Sequence, residues 1–316
     1  MSENGKITVR FRGVRGSIPA PAPQNMRYGG NTSCVEIRCN DQLLILDAGS
    51  GLRLVGDELL RDSPANPVEA TLLLSHSHWD HVQGLPFFAP GYLPKNRITI
   101  FGAYGRGKQL QRALAEQMTP SHFPVSFEQM HGLEKVRELS KDTTNLENFA
   151  VRTIQLNHPG GCTGFRIEST PGYVAYLPDH EPYRSNSTNS AQQALVEFVR
   201  GVDLLILDTQ YTAQEYEQRV GWGHGCLPAS VQLAIDAGVR RLFLFHHDPS
   251  HDDRYLDHMV ETARALAVGS SLIIEAASET EIVSLASPNL GMIPELGLFP
   301  IRQIGHTAAT TDCPVA

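Results

Sequence analysis

The residues with the most chemistry per unit length lie in one stretch, Ser75-His76-Ser77-His78-Trp79-Asp80-His81. Three histidines and an aspartate fall within the six residues from His76 to His81. At this composition a chance His-x-His-x-Asp-His match is on the order of one in a thousand. Imidazole and carboxylate groups without a thiolate suit Zn, Fe, Mn or Ni. In extended backbone, side chains at i and i+2 face the same way. His76 and His78 can therefore grip one ion while Asp80 and His81 turn toward another. Four residues cannot fill two metal sites, so further ligands are expected downstream.

The elements that must position this stretch can be read on either side of it. Residues 70–74, Ala-Thr-Leu-Leu-Leu, form a short apolar run that reads as a buried strand, and Val82-Gln83-Gly84-Leu85-Pro86 soon breaks any helix. The cluster thus sits at the C-terminal end of a strand, where α/β sheets place their sites. Other strand-like runs cover 7–12, 34–38, 43–46, 98–101, 151–156, 164–168, 173–177, 203–207, 241–245, 271–275 and 281–285. Several end on a polar residue: Asp47, His158, Asp179, Asp208 and His246. Asp47 could touch the site, cap the next helix or pair with the glycine-rich turn. Helical periodicity covers about 51–60, 109–118, 191–200, 228–237 and 252–268. His122 and His131 lack ligand spacing and read as structural or solvated. The glycines and Lys108 of 102–108 lack the spacing and the Ser/Thr of a phosphate loop.

Two successive β-rich blocks, each finished by helices and with no linker between them, predict a single four-layer α/β/β/α sandwich with its metal site at strand ends. That domain is expected over residues 5–286. Apolar periodicity fades beyond Ser287, so 287–316 is expected to be a C-terminal extension or tail. Hydrophobic content of 41% suffices for a sizeable core. Lys+Arg total 26 against Asp+Glu 34, a net charge of −8. This acidic balance leads to the expectation that no long nucleic acid is bound, since a protein coating one wants a basic footprint. A small phosphorylated ligand fits, because a metal supplies local positive charge. The five cysteines (Cys34, Cys39, Cys162, Cys226, Cys313) form no C-x-x-C pair and read as buried free thiols of a reducing compartment. With no apolar signal core and no run near the ~20 apolar residues of a membrane span, a cytoplasmic location without a membrane partner is expected. Homodimer formation stays open.

In order and spacing, His76, His78, Asp80, His81, His158, Asp179 and His246 resemble the ligands of the metallo-β-lactamase superfamily. The resemblance runs from about residue 5 to 286 and is carried most specifically by the His-x-His-x-Asp-His core. It implies that His76, His78 and His158 hold one ion and that Asp80, His81 and His246 hold a second. Asp179 would bridge them, with Zn, Mn or Fe as the ions and Zn favoured. His246 is preferred to His247 because the related phosphodiesterases use the first residue after the apolar strand. Asp179 argues against β-lactam hydrolysis, since β-lactamases of this fold commonly carry a cysteine there. Asp208 and Gly223-His224-Gly225 resemble the branch around ribonuclease Z and small bacterial cyclic phosphodiesterases. In that branch an acid and a histidine assist proton transfer. The family's His-Ser-Thr reads His224-Gly225-Cys226 here, and its usual glutamate is Asp208.

The resemblance implies a dinuclear metal-dependent hydrolase acting on a small phosphodiester such as a cyclic nucleotide, through a hydroxide bridging the ions. Asp80, His224 and Asp208 are the expected catalytic residues. The competing expectations are a glyoxalase II-like thioesterase or carbonyl hydrolase, a nuclease, and a non-catalytic nucleotide sensor. Substrate specificity is expected from the loops carrying Arg15, Asn31, residues 87–92 and Trp222.

Overall fold

The computed structural model describes residues 6–183 and 189–286; the tail expected over 287–316 lies outside them. The strands in chain order are β1 (Lys6–Gly13), β2 (Cys34–Cys39), β3 (Gln42–Leu46), β4 (Glu69–Leu73), β5 (Arg97–Gly102), β6 (Leu133–Glu138) and β7 (Thr143–Leu146). They continue with β8 (Phe149–Leu156), β9 (Cys162–Ser169), β10 (Gly172–Leu177), β11 (Leu204–Asp208), β12 (Arg241–Phe245), β13 (Ile273–Ala276) and β14 (Ile282–Ala286). Helices are α1 (Leu52–Asp62), α2 (Trp79–Val82), α3 (Gly107–Glu116), α4 (Asn189–Phe198), α5 (Ala213–Tyr216), α6 (Leu227–Asp236) and α7 (Asp253–Leu266).

The strands make two seven-stranded sheets, ordered β14-β1-β2-β3-β4-β5-β6 and β13-β12-β11-β10-β9-β8-β7. β14 returns from the second block to close the first sheet beside β1. Within each sheet a run of four neighbours is parallel: β3 to β6, and β10 to β13. The C-terminal ends of β3, β4, β10, β11 and β12 carry Asp47, the His76–His81 stretch, Asp179, Asp208 and His246, as a parallel sheet places its site, whereas His158 follows the antiparallel β8.

Period-2 alternation explains how the continuous apolar runs build four layers. In β3, Leu44 and Leu46 point between the sheets, whereas Leu43 and Ile45 pack on the outer core with Leu52 and Val55 of α1. In β11, Leu204 and Ile206 face inward, whereas Leu205 and Leu207 meet Val231 and Ala234 of α6. In β12, Phe243 and Phe245 face inward, and Phe243 lies 5.0 Å from Phe11 of the opposite sheet, ring centre to ring centre. Strands buried on both faces read as apolar throughout. Each fully buried Leu, Ile or Phe contributes roughly 1.5–3 kcal/mol. The expected α/β/β/α sandwich is therefore the observed one.

Two departures are local. The segment after His78 is not extended; Trp79–Val82 turns into α2, with the His81 N–H donating to the His78 carbonyl at 3.0 Å. β6 and β7 fall where no strand was expected, because most of their side chains are exposed and charged or polar rather than apolar.

Candidate dinuclear metal centre

The centre is built at the C-terminal ends of strands from both sheets. Past β4 the chain bends at Ser75, and His78 takes extended backbone (φ −64°, ψ 150°) just before α2. α2 then rotates Asp80 and His81 onto a different heading, so four neighbouring residues serve two positions. The second sheet supplies His158 after β8, Asp179 after β10 and His246 after β12.

Asp179 lies at the middle and is fully buried. Its Oδ2 is 3.6 Å from His76 Nε2 and 3.5 Å from His158 Nε2. Its Oδ1 is 3.1 Å from His81 Nε2 and 3.4 Å from His246 Nε2. His78 Nδ1 faces His158 Nε2 at 3.0 Å. Asp80 Oδ2 lies 3.1 Å from His246 Nε2 and 3.3 Å from His81 Nε2, and accepts the Ser17 N–H at 2.8 Å. The donor atoms fall into a His76–His78–His158–Asp179 group and an Asp80–His81–His246 group, each compact enough to hold an ion. His76 Nε2 and Asp179 Oδ1 are buried and have no hydrogen-bond partner. Burying such atoms unsatisfied is costly, so their orphaned state fits cation ligands.

The far ring nitrogens are tied down. His81 Nδ1 donates to Asp47 Oδ2 at 2.8 Å, His158 Nδ1 to the Gly223 carbonyl at 2.8 Å, and His246 Nδ1 to Gln210 Oε1 at 3.0 Å. Each bond places the proton on Nδ1 and turns the Nε2 lone pair inward, the tautomer a metal ligand needs. Asp47 also accepts from the Ser75 N–H and hydroxyl at 2.7 and 2.8 Å and from the Tyr176 hydroxyl at 2.8 Å. Of the roles open to Asp47 in the sequence, it therefore takes the one that touches the site, as a support. Asp47 and His246 each directly follow a strand and have φ of +59° and +60°. A non-glycine residue held there costs on the order of 1–3 kcal/mol, a strain typical of functional sites.

Electrostatics divide the histidines. Burial lowers His76, His78 and His158, keeping them neutral. Burial also opposes charge on His246, but Asp179 and Asp80 outweigh it and push this histidine up to about 9. His81 is raised in the same way by Asp179, Asp80 and Asp47. Despite burial, Asp179 is held well below the usual carboxylate range by His246, His81 and His76.

His247 points away, its Nε2 toward the Ala277 carbonyl at 3.0 Å, and burial drives it down to about 3. His246, and not His247, lies in the ligand-type groups. His180 uses Nδ1 to accept the Asn157 N–H at 3.3 Å, and His251 pairs with Glu215 at 2.8 Å. Neither enters the metal groups. His122 and His131 are exposed.

His224 stands beside the centre, its ring stacked 4.9 Å from that of His246 and meeting that of His158 edge-on at 5.3 Å. Its Nδ1 lies 3.0 Å from Asp208 Oδ2 and 4.0 Å from Asp179 Oδ2. A carboxylate only accepts, so Nδ1 carries the proton and Nε2 is the ring's free atom. His224 also forms a third ligand-type group with Asp179 and His246. Asp208 is fully buried and accepts the Gln210 and His180 N–H groups at 2.9 and 3.2 Å.

The beta-lactamase superfamily domain matches residues 43–247. The chain belongs to that superfamily. Among curated relatives, ribonuclease Z of Thermoplasma acidophilum is 25% identical over 301 residues, covering 82% of this chain and 91% of the relative. The metallo-beta-lactamase fold protein YhfI of Bacillus subtilis superposes with a TM-score of 0.66 at 19% identity, over 89% of this chain and 100% of its own. A diphosphatase of the PhnP family gives a TM-score of 0.60 at 18% identity, covering 89% and 98%. The short form of human tRNase Z gives 0.59 at 18% identity, covering 89% and 99%. These structures share the metallo-β-lactamase fold, so the resemblance read from the superfamily motifs holds.

One expectation is overturned. The acidic balance pointed away from a long nucleic acid, yet a relative spanning most of this chain is named ribonuclease Z, and a tRNase Z has this fold. Net charge is a global sum, whereas divalent ions at a site reverse the sign locally. A charge of −8 therefore does not exclude RNA in this superfamily.

Sequence reasoning missed several supports. Ser17, Tyr176 and Gln210 touch site residues directly. Glu181 accepts the Gly221 and Gly223 N–H groups at 2.7 and 2.8 Å and the Tyr216 hydroxyl at 2.9 Å, pinning the loop that carries His224. A side chain on Gly223 (φ +92°) would collide with His158, which explains the glycine. Gln210 lies two residues past a strand end, a signal that could have found it. Glu181 offered none beyond following Asp179 and His180. No helix among the described residues is long and apolar enough to cross a membrane.

Proposed function

We propose that this protein is a dinuclear metal-dependent phosphodiesterase. The observation that carries the reading is the division of six ligand-type side chains around the two oxygens of Asp179, beside the His224–Asp208 pair. His76, His78 and His158 would hold one ion, Asp80, His81 and His246 the other, and Asp179 both. Two bound ions would supply Lewis acidity and a water made acidic near neutral pH. Zinc is the first ion to test, because imidazole-rich sets with carboxylate suit it.

The chain's own residues account for the rest. Asp80 fixes the second set through His81 and His246 while Ser17 holds its carboxylate in place. Asp208 keeps the His224 proton on Nδ1, so a proton gained on Nε2 can pass to the departing alkoxide. His224 is thus the general acid and Asp208 its orienting partner. We assign this activity to residues 5–286. The four described cysteines are buried and form no disulfide with one another, which supports the reducing cytoplasm as its compartment.

The reaction class is tested by loading the chain with Zn²⁺ or Mn²⁺ and assaying bis(p-nitrophenyl) phosphate, 2′,3′- and 3′,5′-cyclic nucleotides, a thioester and a β-lactam. Diester hydrolysis without thioester or β-lactam turnover is expected. Thioester turnover alone would transfer the site to carbonyl chemistry. Within phosphodiester hydrolysis, a small diester such as a cyclic nucleotide is one substrate. The ribonuclease Z name of a relative at 25% identity favours RNA as a second reading, tested by cleavage of a structured RNA.

A further inference from the structure

Beside His76 the surface opens into a small hollow lined by Ser75, His76, Ser77, Arg106, Gly161 and Thr163 among others. Arg106 comes from the loop between β5 and α3 and is exposed. Its guanidinium reaches across to the turn that follows His158, donating to the Gly160 carbonyl at 2.9 Å. It lies flat against Gly161: a Cβ built there would come within 2.9–3.2 Å of the guanidinium atoms, and Gly161 has φ of +87°. Glycine at 161 thus lets a cation settle against the backbone of a metal-ligand turn.

The cation has no acidic partner. Among the described residues Arg106 makes no ion pair, and its one hydrogen bond uses one of five N–H donors. Glu138 turns its two oxygens to the N–H groups of Gly105 and Gly107 at 3.0 and 2.9 Å, bracketing Arg106 without engaging its guanidinium. In a chain of net charge −8, an exposed arginine resting on the turn after His158 and left without a counter-charge is suited to a ligand's anion. Guanidinium donors match phosphate oxygens in a fork.

We infer that Arg106 forms a subsite for a second phosphate, flanking the diester that is cleaved. This rests on the phosphodiesterase reading and narrows it to substrates carrying more than one phosphate. Two sources share that chemistry: the neighbouring phosphate of an oligonucleotide, and a further phosphate on a small cyclic nucleotide.

The test compares matched substrates with wild type, Arg106→Ala and Arg106→Lys, each loaded with metal and with its metal content measured. One pair is UpU against pUpU; the other is adenosine 2′,3′-cyclic phosphate against its 5′-phosphorylated form. In wild type, kcat/KM is expected to favour the member with the extra phosphate. Arg106→Ala should lower that preference roughly tenfold, mainly through KM, as for one partly exposed charge-assisted contact. Arg106→Lys should restore part of it. The pair that responds identifies the source. A preference unchanged in both pairs overturns the subsite, as does an equal loss on both members accompanied by loss of metal. If wild type cleaves no phosphodiester, the reaction reading fails, and binding decides the subsite separately. Adenosine 3′,5′-bisphosphate should then bind more tightly than adenosine 5′-phosphate, and Arg106→Ala should erase the difference; an unaltered difference overturns the subsite.

Discussion

The two sheets contribute to the centre in different ways. The first sheet delivers His76, His78, Asp80 and His81 from one strand end and one helical turn. The second delivers His158, Asp179 and His246 from the ends of three strands, and sets His224 on a loop pinned by Glu181. One half is a local motif that a few backbone dihedrals arrange; the other exists only once β8, β10 and β12 have found their neighbours. The supports cross over. Asp47 and Tyr176 come from opposite sheets and meet at Asp47 Oδ2, and Asp47 holds His81. Coupling between the halves therefore runs chiefly through Asp179 and this buried network.

The largest effect is expected at Asp179, whose two oxygens face the two groups. Asp179→Ala should remove both ions, whereas His78→Ala should impair one site and leave the Asp80–His81–His246 set able to bind. Metal analysis after dialysis reads the contrast directly. Losing the catalytic ions should cost on the order of a thousandfold or more in turnover. If Asp179→Ala keeps one tightly bound equivalent, the two groups are more independent than the geometry implies.

Next comes His224→Ala. It should leave metal content near wild type while lowering turnover of a diester with a poor leaving group by ~100–10,000-fold. The loss should be smaller for bis(p-nitrophenyl) phosphate, whose leaving group needs less help from a proton. Loss of an ion from this variant would instead make His224 a ligand, the role open to it beside Asp179 and His246.

A smaller effect is expected at the supports. Asp47→Asn keeps the shape but weakens the acceptor for His81, and should lower metal affinity by about 10–100-fold. A competitive chelator titration measures it, and an unchanged affinity would show that the cross-sheet network is not needed.

The mildest test is pH. His246 has a folded pKa of about 9, above its ordinary 6.5. Its proton stabilises the metal-free fold fully below about 6.5, and that contribution is lost as pH rises through about 9. An ion binding at Nε2 must displace this proton, so affinity should climb with pH toward 9. Calorimetry in two buffers of different ionisation enthalpy should show proton release near neutral pH. Binding without proton exchange would remove His246 from the second set.

The same contrast governs what the sequence made legible. Buried parallel strands appear as apolar runs, so the layers and the polar ends of β4, β10 and β12 could be read. That only one of His246 and His247 could face the site also followed, since adjacent residues diverge at a strand end; the choice of His246 came from the resemblance to related phosphodiesterases. β6 and β7 were illegible because exposed edge strands carry charged and polar residues that show no apolar run. The turn at α2 was hidden because four residues are too few for helical periodicity. Gln210 and Glu181 act through contacts 36 and 40–42 residues away in the chain, a relation no local pattern records. Whole-chain charge misled about nucleic acid, because it averages over the place where the charge matters.

The central claim is that two ions held across the sheets act together in phosphodiester hydrolysis. Titrating metal-free protein with Zn²⁺ while following bis(p-nitrophenyl) phosphate hydrolysis tests it most directly. Two equivalents per chain should bind, with activity reaching its plateau only as the second fills. Full activity at one equivalent, or two bound equivalents without hydrolysis of any phosphodiester, would contradict it.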